Sequence, residues 1–462
     1  MNARHPNIVF VFADQWRQQA AGYAGDPNLA GHTPHIDALA AQSARFDLAV
    51  SGCPVCSPYR ASLLTGLRPH RHGVFVNDLA LDHPGPKLGD VFGGAGYDTA
   101  YIGKWHVNGR DRGGFIPKER RAGFAFWETL ECTHDYNNSW YWGNDDRLHR
   151  WDGYDALDQA RHAAHYIRAR THADRPFLLG LSWGPPHNPY GSAPERYRAR
   201  FDPASIRLRP NVPPEKAEAA RRDLAGYYAH LAALDDAFGE IVRALDETGL
   251  AGETILVLTS DHGDMIGSQG SQRKQQPWEE SLRVPFLLRD GRAGGGRGRS
   301  LAAPIDAQDV MPTLCGLAGI AVPDGLDGLD YSPAIRGERE VGDGAALLAC
   351  YVPFGEWTRE RGGREYRGLR TPTHTYARSL DGPWLLYDNV ADPYQQRNLI
   401  DDPAHAALRA RLDAALDAKL AAAGDDFVSG PELLRRWGYD RSYDLQPNGT
   451  VKHRNFRPPS SP

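Results

Sequence analysis

Long apolar runs, cysteines and an excess of one charge are all scarce in this sequence. No apolar run approaches the ~20 residues that a membrane-spanning helix needs, so we expect no membrane partner. Five cysteines among 462 residues, an odd number and mostly isolated, do not describe a disulfide framework. The net charge of -5 provides no basic surface, so we expect no nucleic-acid partner either. These absences favour an ordinary globular protein, and the composition of 41% apolar and 24% charged residues agrees.

The first residues of the sequence bear on the cellular compartment of the protein. Residues 7–13 are apolar, end at Asp14 and lack a small-residue cleavage site, which is typical of a buried strand rather than a signal peptide. We therefore expect a cytoplasmic protein, or a periplasmic one if an export signal preceded this sequence. The sequence makes no prediction of the oligomeric state.

Apolar runs alternate with helical patterns over the first two thirds of the chain. The predicted strands are 7–13, 98–102, 176–182, 254–260 and 284–289, and the predicted helices are 34–43, 57–66, 154–170 and 214–247. This alternation predicts an α/β fold in which helices flank a mostly parallel central sheet.

The pattern changes after about residue 335. Short strands at 347–352, 365–370, 374–379 and 383–387, then a helix at 403–423, predict a smaller antiparallel sheet with a packed helix. We therefore divide the chain into a catalytic domain, 1–335, and a smaller C-terminal domain, 336–462. The glycine- and arginine-rich segment 291–298 is predicted to be a surface loop. The polar tail from residue 446 is predicted to lie on the surface or to be disordered.

Polar side chains follow three of the predicted parallel strands. Sites in such sheets form beyond the carboxyl ends of the strands, so we expect these side chains to converge. The groups are Asp14 and Gln15 after the first strand, Lys104 and His106 after the second, and Asp261 and His262 after the fourth.

Four of these residues offer ligands for a metal ion. Asp14 and Asp261 would be costly to bury unless they were paired or metal-bound, and Gln15 and His262 directly follow them. Each pair alone is unremarkable, because an aspartate after a strand is more often a helix cap. Together they supply carboxylate, amide and imidazole ligands and predict a site for a hard divalent cation.

A possible nucleophile, Cys56, lies at the predicted start of a helix. The N-terminus of a helix lowers the pKa of a thiol and attracts anions, and Arg60 lies about one turn further on. Cys53 and Cys56 also form a Cys-x-x-Cys pair, which leaves a redox pair or half a zinc site as alternatives. The other three cysteines are scattered and provide no second pair; they are Cys132, Cys315 and Cys350.

The segment Cys56-Ser57-Pro58-Tyr59-Arg60, followed by residues 61–66 (ASLLTG), resembles the signature of the formylglycine-dependent sulfatases of the alkaline phosphatase superfamily. Tyr59 departs from the usual Ser, Thr or Ala, while Cys56, Pro58 and Arg60 are in place. The resemblance implies that a formylglycine-generating enzyme oxidises Cys56 to formylglycine (3-oxoalanine). The hydrated aldehyde would be the nucleophile and, through one hydroxyl, a ligand of the cation.

The resemblance extends to the metal-binding positions. Asp14 and Asp261 match the family's acidic ligands, and His262 matches its Asp-His variant. Gln15 stands where a second aspartate is more usual, which removes one negative charge. The resemblance implies calcium, and the smaller number of carboxylates also admits manganese.

The remaining catalytic groups follow from the same resemblance. Lys104 would bind sulfate oxygens, and Arg60 would stabilise the formylglycine. His106 would take a proton from the second hydroxyl and so expel sulfate. His187, in a proline-rich loop after the third strand, and Lys274 would contact the sulfate, and one of them would protonate the leaving oxygen.

The sequence therefore predicts hydrolysis of a sulfate monoester, with an aryl or carbohydrate leaving group. An aromatic, amide-rich stretch suggests substrate contacts from His134, Tyr136 and Asn138, although a core-packing loop explains it equally well. A phosphonate monoester or phosphodiester hydrolase is the nearest alternative, since those enzymes resemble this chain at Gln15 and His262. A non-catalytic ligand-binding module is a third possibility.

Overall fold

The structure of the protein is a computed structural model that describes residues 5–292 and 298–454. Most of the predicted loop at 291–298, and the end of the predicted tail from residue 455, lie outside the described residues. No helix in the described part of the chain has both the length and the apolarity to cross a membrane.

A ten-stranded sheet forms the centre of the protein, in the order β10-β2-β9-β8-β1-β7-β3-β4-β5-β6. Its strands are β1 (Asn7–Asp14), β2 (Ala44–Phe46), β3 (Asp98–Lys104), β4 (Phe126–Leu130), β5 (Trp140–Trp142), β6 (Leu148–Arg150), β7 (Phe177–Pro186), β8 (Thr254–Ser260), β9 (Phe286–Asp290) and β10 (Arg299–Leu301). The five central strands, from β8 to β4, are mutually parallel, so their carboxyl ends share one edge. Strand β9 is antiparallel to β8, and β5 is antiparallel to β4.

Helices cover both faces of this sheet. The α-helices of the described residues, including those of the C-terminal part of the chain, are in chain order α1 (Pro34–Gln42), α2 (Cys56–Thr65), α3 (Pro69–His72), α4 (Leu88–Gly94), α5 (Asp155–Arg168), α6 (Glu195–Arg198), α7 (Ala217–Glu247), α8 (Glu279–Leu282), α9 (Val310–Ala318), α10 (Ser332–Arg336), α11 (Ala406–Ala423) and α12 (Gly430–Arg436).

Strand β1 shows why the sheet needs both layers. Successive side chains of a strand point to opposite faces, and every residue of β1 is buried. Phe10 belongs to one apolar cluster, with residues of α2 and α9. Val11 belongs to another, with residues of α1, α5 and α7. A strand that is apolar on both faces is typical of a parallel sheet between two helical layers.

A second sheet follows in the C-terminal part of the chain. Its four antiparallel strands run in sequence order: β11 (Ala346–Cys350), β12 (Tyr366–Arg370), β13 (His374–Ser379) and β14 (Gly382–Asp388). Helix α11 packs on one face of this sheet through Leu416 and Leu420. A hairpin of β15 (Tyr443–Leu445) and β16 (Val451–His453) follows.

The predicted fold class is confirmed, with corrections in detail. Strand 254–260 matches β8, and helix 57–66 lies one residue from α2. Residues 214–216 and 403–405 form 3₁₀ turns before α7 and α11. The tail predicted from residue 446 instead begins inside the β15–β16 hairpin, which the turn-like Pro447-Asn448-Gly449 permits. The domain division at residue 335 stays a prediction.

Candidate active site

The carboxyl edge of the parallel strands gathers the predicted site residues. Asp14 ends β1, Lys104 ends β3, and Asp261 directly follows β8. Cys56 begins α2, which enters this edge from the neighbouring layer. All four side chains are buried. Residues far apart in sequence therefore meet in one pocket because the parallel strands end side by side.

A cation-sized cluster of ligand atoms lies at the centre of the pocket. One ligand atom from each of Asp14, Cys56, Asp261 and His262 lies within 4.8 Å of the others. Gln15 joins them at the edge of β1, and its Oε1 is a buried atom with no hydrogen-bond partner in the structure. A buried amide oxygen without a partner is costly, and a bound cation would satisfy it. The donor set, rich in oxygen with one imidazole, fits a divalent cation.

Hydrogen bonds to Asp261 and Asp264 set the orientation of the Gln15 amide. Its Nε2 donates to Asp264 Oδ2 at 2.6 Å, and its backbone N–H donates to Asp261 Oδ1 at 3.0 Å. Gln15 has a φ of 73°, a left-handed conformation that is uncommon for a residue with a side chain. Asp264 also accepts hydrogen bonds from the Tyr190 hydroxyl and the Arg273 backbone. These contacts leave Oε1 as the amide atom that faces the cluster.

The two carboxylates of this cluster, Asp14 and Asp261, do not ionise independently. Burial raises the pKa of Asp261, and the nearby charge of Asp14 raises it further. Burial also opposes ionisation of Asp14, but the charges of Lys104 and Lys274 outweigh it and hold that pKa well below its usual value. A divalent cation between the two carboxylates would favour the ionised form of both, which supports the fit.

Cys56 lies among the candidate ligand atoms and beside the ammonium group of Lys274. Its Sγ is 3.7 Å from Asp14 Oδ1, 3.2 Å from His262 Nε2 and 2.8 Å from Lys274 Nζ. Burial and Asp14 raise the pKa of the thiol, but Lys274, Lys104 and His262 outweigh them and hold it well below its usual value. The surroundings of Cys56 therefore stabilise a negative charge on the side chain at this position.

Arg60 and Lys104 provide fixed positive charge beside the carboxylates. Arg60 Nη2 lies 3.0 Å from Asp261 Oδ2, and its Nη1 donates to Ser182 Oγ at 2.7 Å. Lys104 Nζ donates to Asp14 Oδ2 at 2.5 Å. Since these cations are buried and held by their partners, they can face an anion without much reorganisation.

His187 and Lys274 lie together beside Cys56. Lys274 Nζ is 3.3 Å from His187 Nε2. Burial lowers the pKa of His187, and Lys274 lowers it further, so the imidazole is neutral while the ammonium is charged. The His134 ring stacks on His187 with a centroid separation of 4.4 Å.

His106 lies at the edge of this group, in contact with residues that sequence reasoning missed. Its Nε2 is 3.3 Å from Asp78 Oδ1. Asp78 also accepts two hydrogen bonds from Arg112, at 3.0 Å and 2.7 Å. Burial lowers the pKa of His106, but negative charge at Cys132 and the hydrogen bond to Asp78 outweigh it and raise that pKa well above its usual value.

The three predicted substrate contacts have different environments. His134 is half-buried against His187. Tyr136 is fully buried, and its hydroxyl donates to the backbone oxygen of His187 at 2.9 Å, so it supports the His187 loop. Asn138 is exposed and accepts a hydrogen bond from Arg150 Nη2 at 2.5 Å. Their roles in substrate binding stay predictions.

Cys53 does not share the environment of Cys56. Both thiols are free, and Cys53 lines a separate cavity with Tyr59 and Tyr351. Burial raises the pKa of the Cys53 thiol, in contrast to that of Cys56. The geometry therefore offers no support for a redox pair.

The missed residues had no motif to mark them. Asn77 Oδ1 accepts from the Ser57 backbone at 2.9 Å, and Asn77 Nδ2 lies 3.9 Å from Cys56 Sγ. Asn77 and Asp78 lie in a loop between α3 and α4, where hydrophobic periodicity gives no signal. The positive φ of Asp78, 66°, is likewise invisible in sequence.

Comparison with protein families gives two matches. A family model described as Sulfatase matches residues 6–320. A second model, described as N-sulphoglucosamine sulphohydrolase, C-terminal, matches residues 267–422.

Individual relatives agree with the family matches. The chain is 44% identical over 440 residues to an ulvan-active sulfatase of Formosa agariphila, covering 94% of this chain and 84% of the relative. It is 33% identical over 457 residues to an endo-4-O-sulfatase of Bacteroides thetaiotaomicron, covering 86% and 88%. A solved structure from work on glycosaminoglycan metabolism by Bacteroides thetaiotaomicron has a TM-score of 0.82 at 30% identity, covering 95% of this chain and 99% of that chain.

Proposed function

The chain belongs to the sulfatase family and is a sulfuric ester hydrolase, and we propose that it removes sulfate from a carbohydrate through formylglycine at position 56. The observation that carries the proposal is the convergence on Cys56 Sγ. The candidate metal-ligand atoms of Asp14 and His262 lie within 3.7 Å of this sulfur, and Lys274 Nζ lies 2.8 Å from the sulfur and 3.2 Å from His262 Nε2. A tetrahedral anion held there would contact both the bound cation and the Lys274 ammonium group.

Two groups that the family uses, formylglycine and a divalent cation, fit the residues present. Asp14, Gln15, Asp261 and His262 would hold the cation, together with the side chain at position 56. The hydrated aldehyde supplies a nucleophilic hydroxyl, and the cation supplies Lewis-acid stabilisation of negative charge. We propose calcium, with manganese as the alternative that the imidazole ligand admits.

The residues around position 56 bind and orient the sulfate. The ammonium groups of Lys104 and Lys274 contact the sulfate oxygens, and the guanidinium of Arg60 fixes the positions of the buried carboxylates. Charge on sulfuryl oxygens grows as the ester bond breaks, so fixed cations lower the barrier. Lys274 is charged and hydrogen-bonded to neutral His187, and this pair delivers a proton to the leaving oxygen.

His106 supplies the base for the release of sulfate. Asp78 contacts its Nε2 and so orients the ring and stabilises the protonated imidazole. A histidine with a carboxylate partner is suited to accept a proton and hold it.

A carbohydrate substrate is supported by the relatives. The most similar ones cited above are described as an ulvan-active sulfatase and an endo-4-O-sulfatase. Because these names are sulfatases, the phosphonate alternative is not favoured. A formylglycine-generating enzyme remains the proposed maturation partner.

The test compares protein in which Cys56 is converted to formylglycine with a Cys56→Ala variant that lacks the nucleophile. The protein is produced together with a formylglycine-generating enzyme, and the mass of the peptide that contains residue 56 reports conversion. We expect sulfate release from sulfated oligosaccharides, and a loss of at least about 10⁴-fold in Cys56→Ala. Cys315→Ala, which removes a buried thiol from α9, is the matched control and should keep activity. Full activity in Cys56→Ala, or a higher kcat/KM for an aryl phosphonate than for every sulfate ester, would refute the proposal.

A further inference from the structure

A cavity lies beside the candidate active-site residues. It has a volume of about 210 Å³ and separates the loop Gly109–Arg112 from the C-terminal hairpin. Lys452 on β16 contributes to its far wall, and Asp78 and Glu131 contribute to its near wall. The Tyr443 hydroxyl accepts a hydrogen bond from the Ala80 backbone at 3.2 Å, which fixes the hairpin against the catalytic layer. The hairpin is therefore a wall of this cavity rather than a loose appendage.

The cavity shares residues with the active site. Asp78 lines it, and the same side chain contacts His106 Nε2 at 3.3 Å. Arg112 also lines it and lies close enough to Cys56 for their charges to interact. A ligand whose reacting group sits at Cys56 therefore has this cavity as its neighbouring space.

One buried polar group in the cavity wall lacks a partner. Glu131 Oε1 accepts hydrogen bonds from the backbone of Asn108 at 2.7 Å and Gly109 at 2.9 Å. Its Oε2 is buried and has no hydrogen-bond partner in the structure. Burial raises the pKa of Glu131 to about 7, so the carboxyl group can donate as well as accept. Such a group fits the hydroxyl of a bound sugar.

The charges of the cavity leave one arginine without a compensating acid. Arg112 is held by Asp78, and Asp111 accepts a hydrogen bond from the Gly113 backbone at 3.1 Å. Arg110 is exposed at the cavity and, among the described residues, takes part in no hydrogen bond or ion pair. Its guanidinium is therefore available to a ligand and favours carboxylate or sulfate oxygens.

We propose that this cavity is a subsite for the sugar next to the sulfated one, and that it selects a sugar with an anionic substituent. Arg110 binds the anionic group, Glu131 bonds to a hydroxyl of the same ring, and the hairpin closes the far side. The proposal rests on the proposed carbohydrate sulfatase function and adds the charge of the neighbouring unit.

The test compares substrates that differ only in the neighbouring sugar. Three sulfated disaccharides carry a carboxylate, a second sulfate or a neutral alcohol on that sugar, and a small aryl sulfate does not reach the cavity. The variants are Arg110→Ala and Arg110→Glu, with Arg222→Ala on exposed α7 as the matched control.

We expect the wild type to prefer at least one anionic disaccharide over the neutral one. Arg110→Ala should lower kcat/KM for the preferred substrate by about 10- to 100-fold, and Arg110→Glu by more, because a charge-assisted hydrogen bond is lost. The neutral disaccharide and the aryl sulfate should change by less than about 2-fold, as should every substrate in Arg222→Ala.

Two results would overturn the subsite. The first is equal kcat/KM for the anionic and neutral disaccharides in the wild type. The second is an equal loss on all substrates in Arg110→Ala. Failure of the proposed function is a separate outcome, since the wild type would then release sulfate from none of the disaccharides.

Discussion

At the residue scale, the active site is a set of buried charged side chains, and the burial of each is stabilised by ion pairs with the others. Asp14 contacts both Lys104, at 2.5 Å, and Arg60, at 3.5 Å, and all three side chains are almost completely buried. Removal of one member leaves an uncompensated buried charge, which is more costly than the pair was favourable. Single substitutions among these three residues therefore test folding as much as chemistry, and the informative changes lie at the edge of the cluster.

Asp78 is such an edge residue, and Asp78→Asn tests its influence on His106. The hydrogen bond that His106 donates to Asp78 contributes to the raised pKa of His106, so the charge of Asp78 stabilises the protonated ring. Without that charge the pKa of His106 falls, and the neutral base exists at lower pH. The limb of kcat/KM that requires neutral His106 should therefore move to lower pH.

A pH series of kcat/KM with a sulfate ester measures the shift. Asp82→Asn is the matched control, because Asp82 is exposed and pairs with Arg120 at 2.7 Å rather than with His106. A limb that stays in place in Asp78→Asn, or moves to higher pH, would contradict the assignment.

At the element scale, β1, β3, β7 and β8 could be predicted because each is a short apolar run with a polar active-site residue soon after it, whereas β4 (Phe126–Leu130) has no such residue and was missed. Strand 254–260 and the following Asp261-His262 show both signals. The short edge strands were missed, because three residues such as Trp140–Trp142 carry no measurable alternation. Asn77 and Asp78 were missed because their importance comes from contacts with residues distant in sequence. The sequence thus predicts the site residues that follow strands, and it does not predict the site residues that lie in loops.

Strand β3 ends at Lys104, and Gly103 permits the close approach of β3 to β7. A Cβ at position 103 would lie 2.1 Å from the backbone oxygen of Ser182, and the φ of 98° is unfavourable for other residues. We expect Gly103→Ala to lower the free energy of unfolding by about 3 kcal/mol or more. It should also lower kcat, because Lys104 and the Ser182 contact to Arg60 are displaced together.

Denaturant unfolding and kcat on one sulfate ester check both effects. Gly94→Ala at the end of α4 is the matched control, since nothing lies within 4 Å of an added Cβ there. We expect the control to change stability by no more than about 1 kcal/mol. Normal activity in a folded Gly103→Ala protein would show that the strand tolerates displacement.

At the scale of the whole molecule, the small C-terminal sheet is attached to the catalytic layer through buried polar contacts. Glu279 in α8 binds Arg370 in β12 at 2.7 Å and Arg283 at 3.1 Å. The Gln275 backbone oxygen, next to Lys274, accepts a hydrogen bond from the Tyr366 hydroxyl at 2.9 Å. The loop that carries Lys274 is therefore held by the small sheet, so the second sheet helps to shape the active site.

Glu279 tests this attachment through the pH dependence of stability. Burial raises the pKa of Glu279, but Arg370 and Arg283 outweigh it and lower the pKa from 4.5 to about 2. A carboxyl group with a depressed pKa contributes stability that is present above its unfolded value and is lost as pH falls towards its folded value. The contribution is about 3 kcal/mol, complete above about pH 5 and lost between about pH 4.5 and 2. We expect Glu279→Gln to lower the free energy of unfolding at pH 7 by about 3–5 kcal/mol, because two arginines lose their partner.

Denaturant unfolding at pH 7, 5, 4 and 3, compared between wild type and variant, separates this group from the other carboxylates. The difference in free energy of unfolding should be constant from pH 7 to about 5 and then shrink, because below that pH Glu279 of the wild type is protonated in the unfolded state while it stays ionised in the folded state. Glu253→Gln is the control, since Glu253 is exposed just before β8 and should change stability by less than about 0.5 kcal/mol. Because the small sheet holds the Lys274 loop, kcat of Glu279→Gln should also fall at temperatures where the protein remains folded. A difference in stability that is independent of pH would mean that Glu279 is not an ionised link between the two sheets.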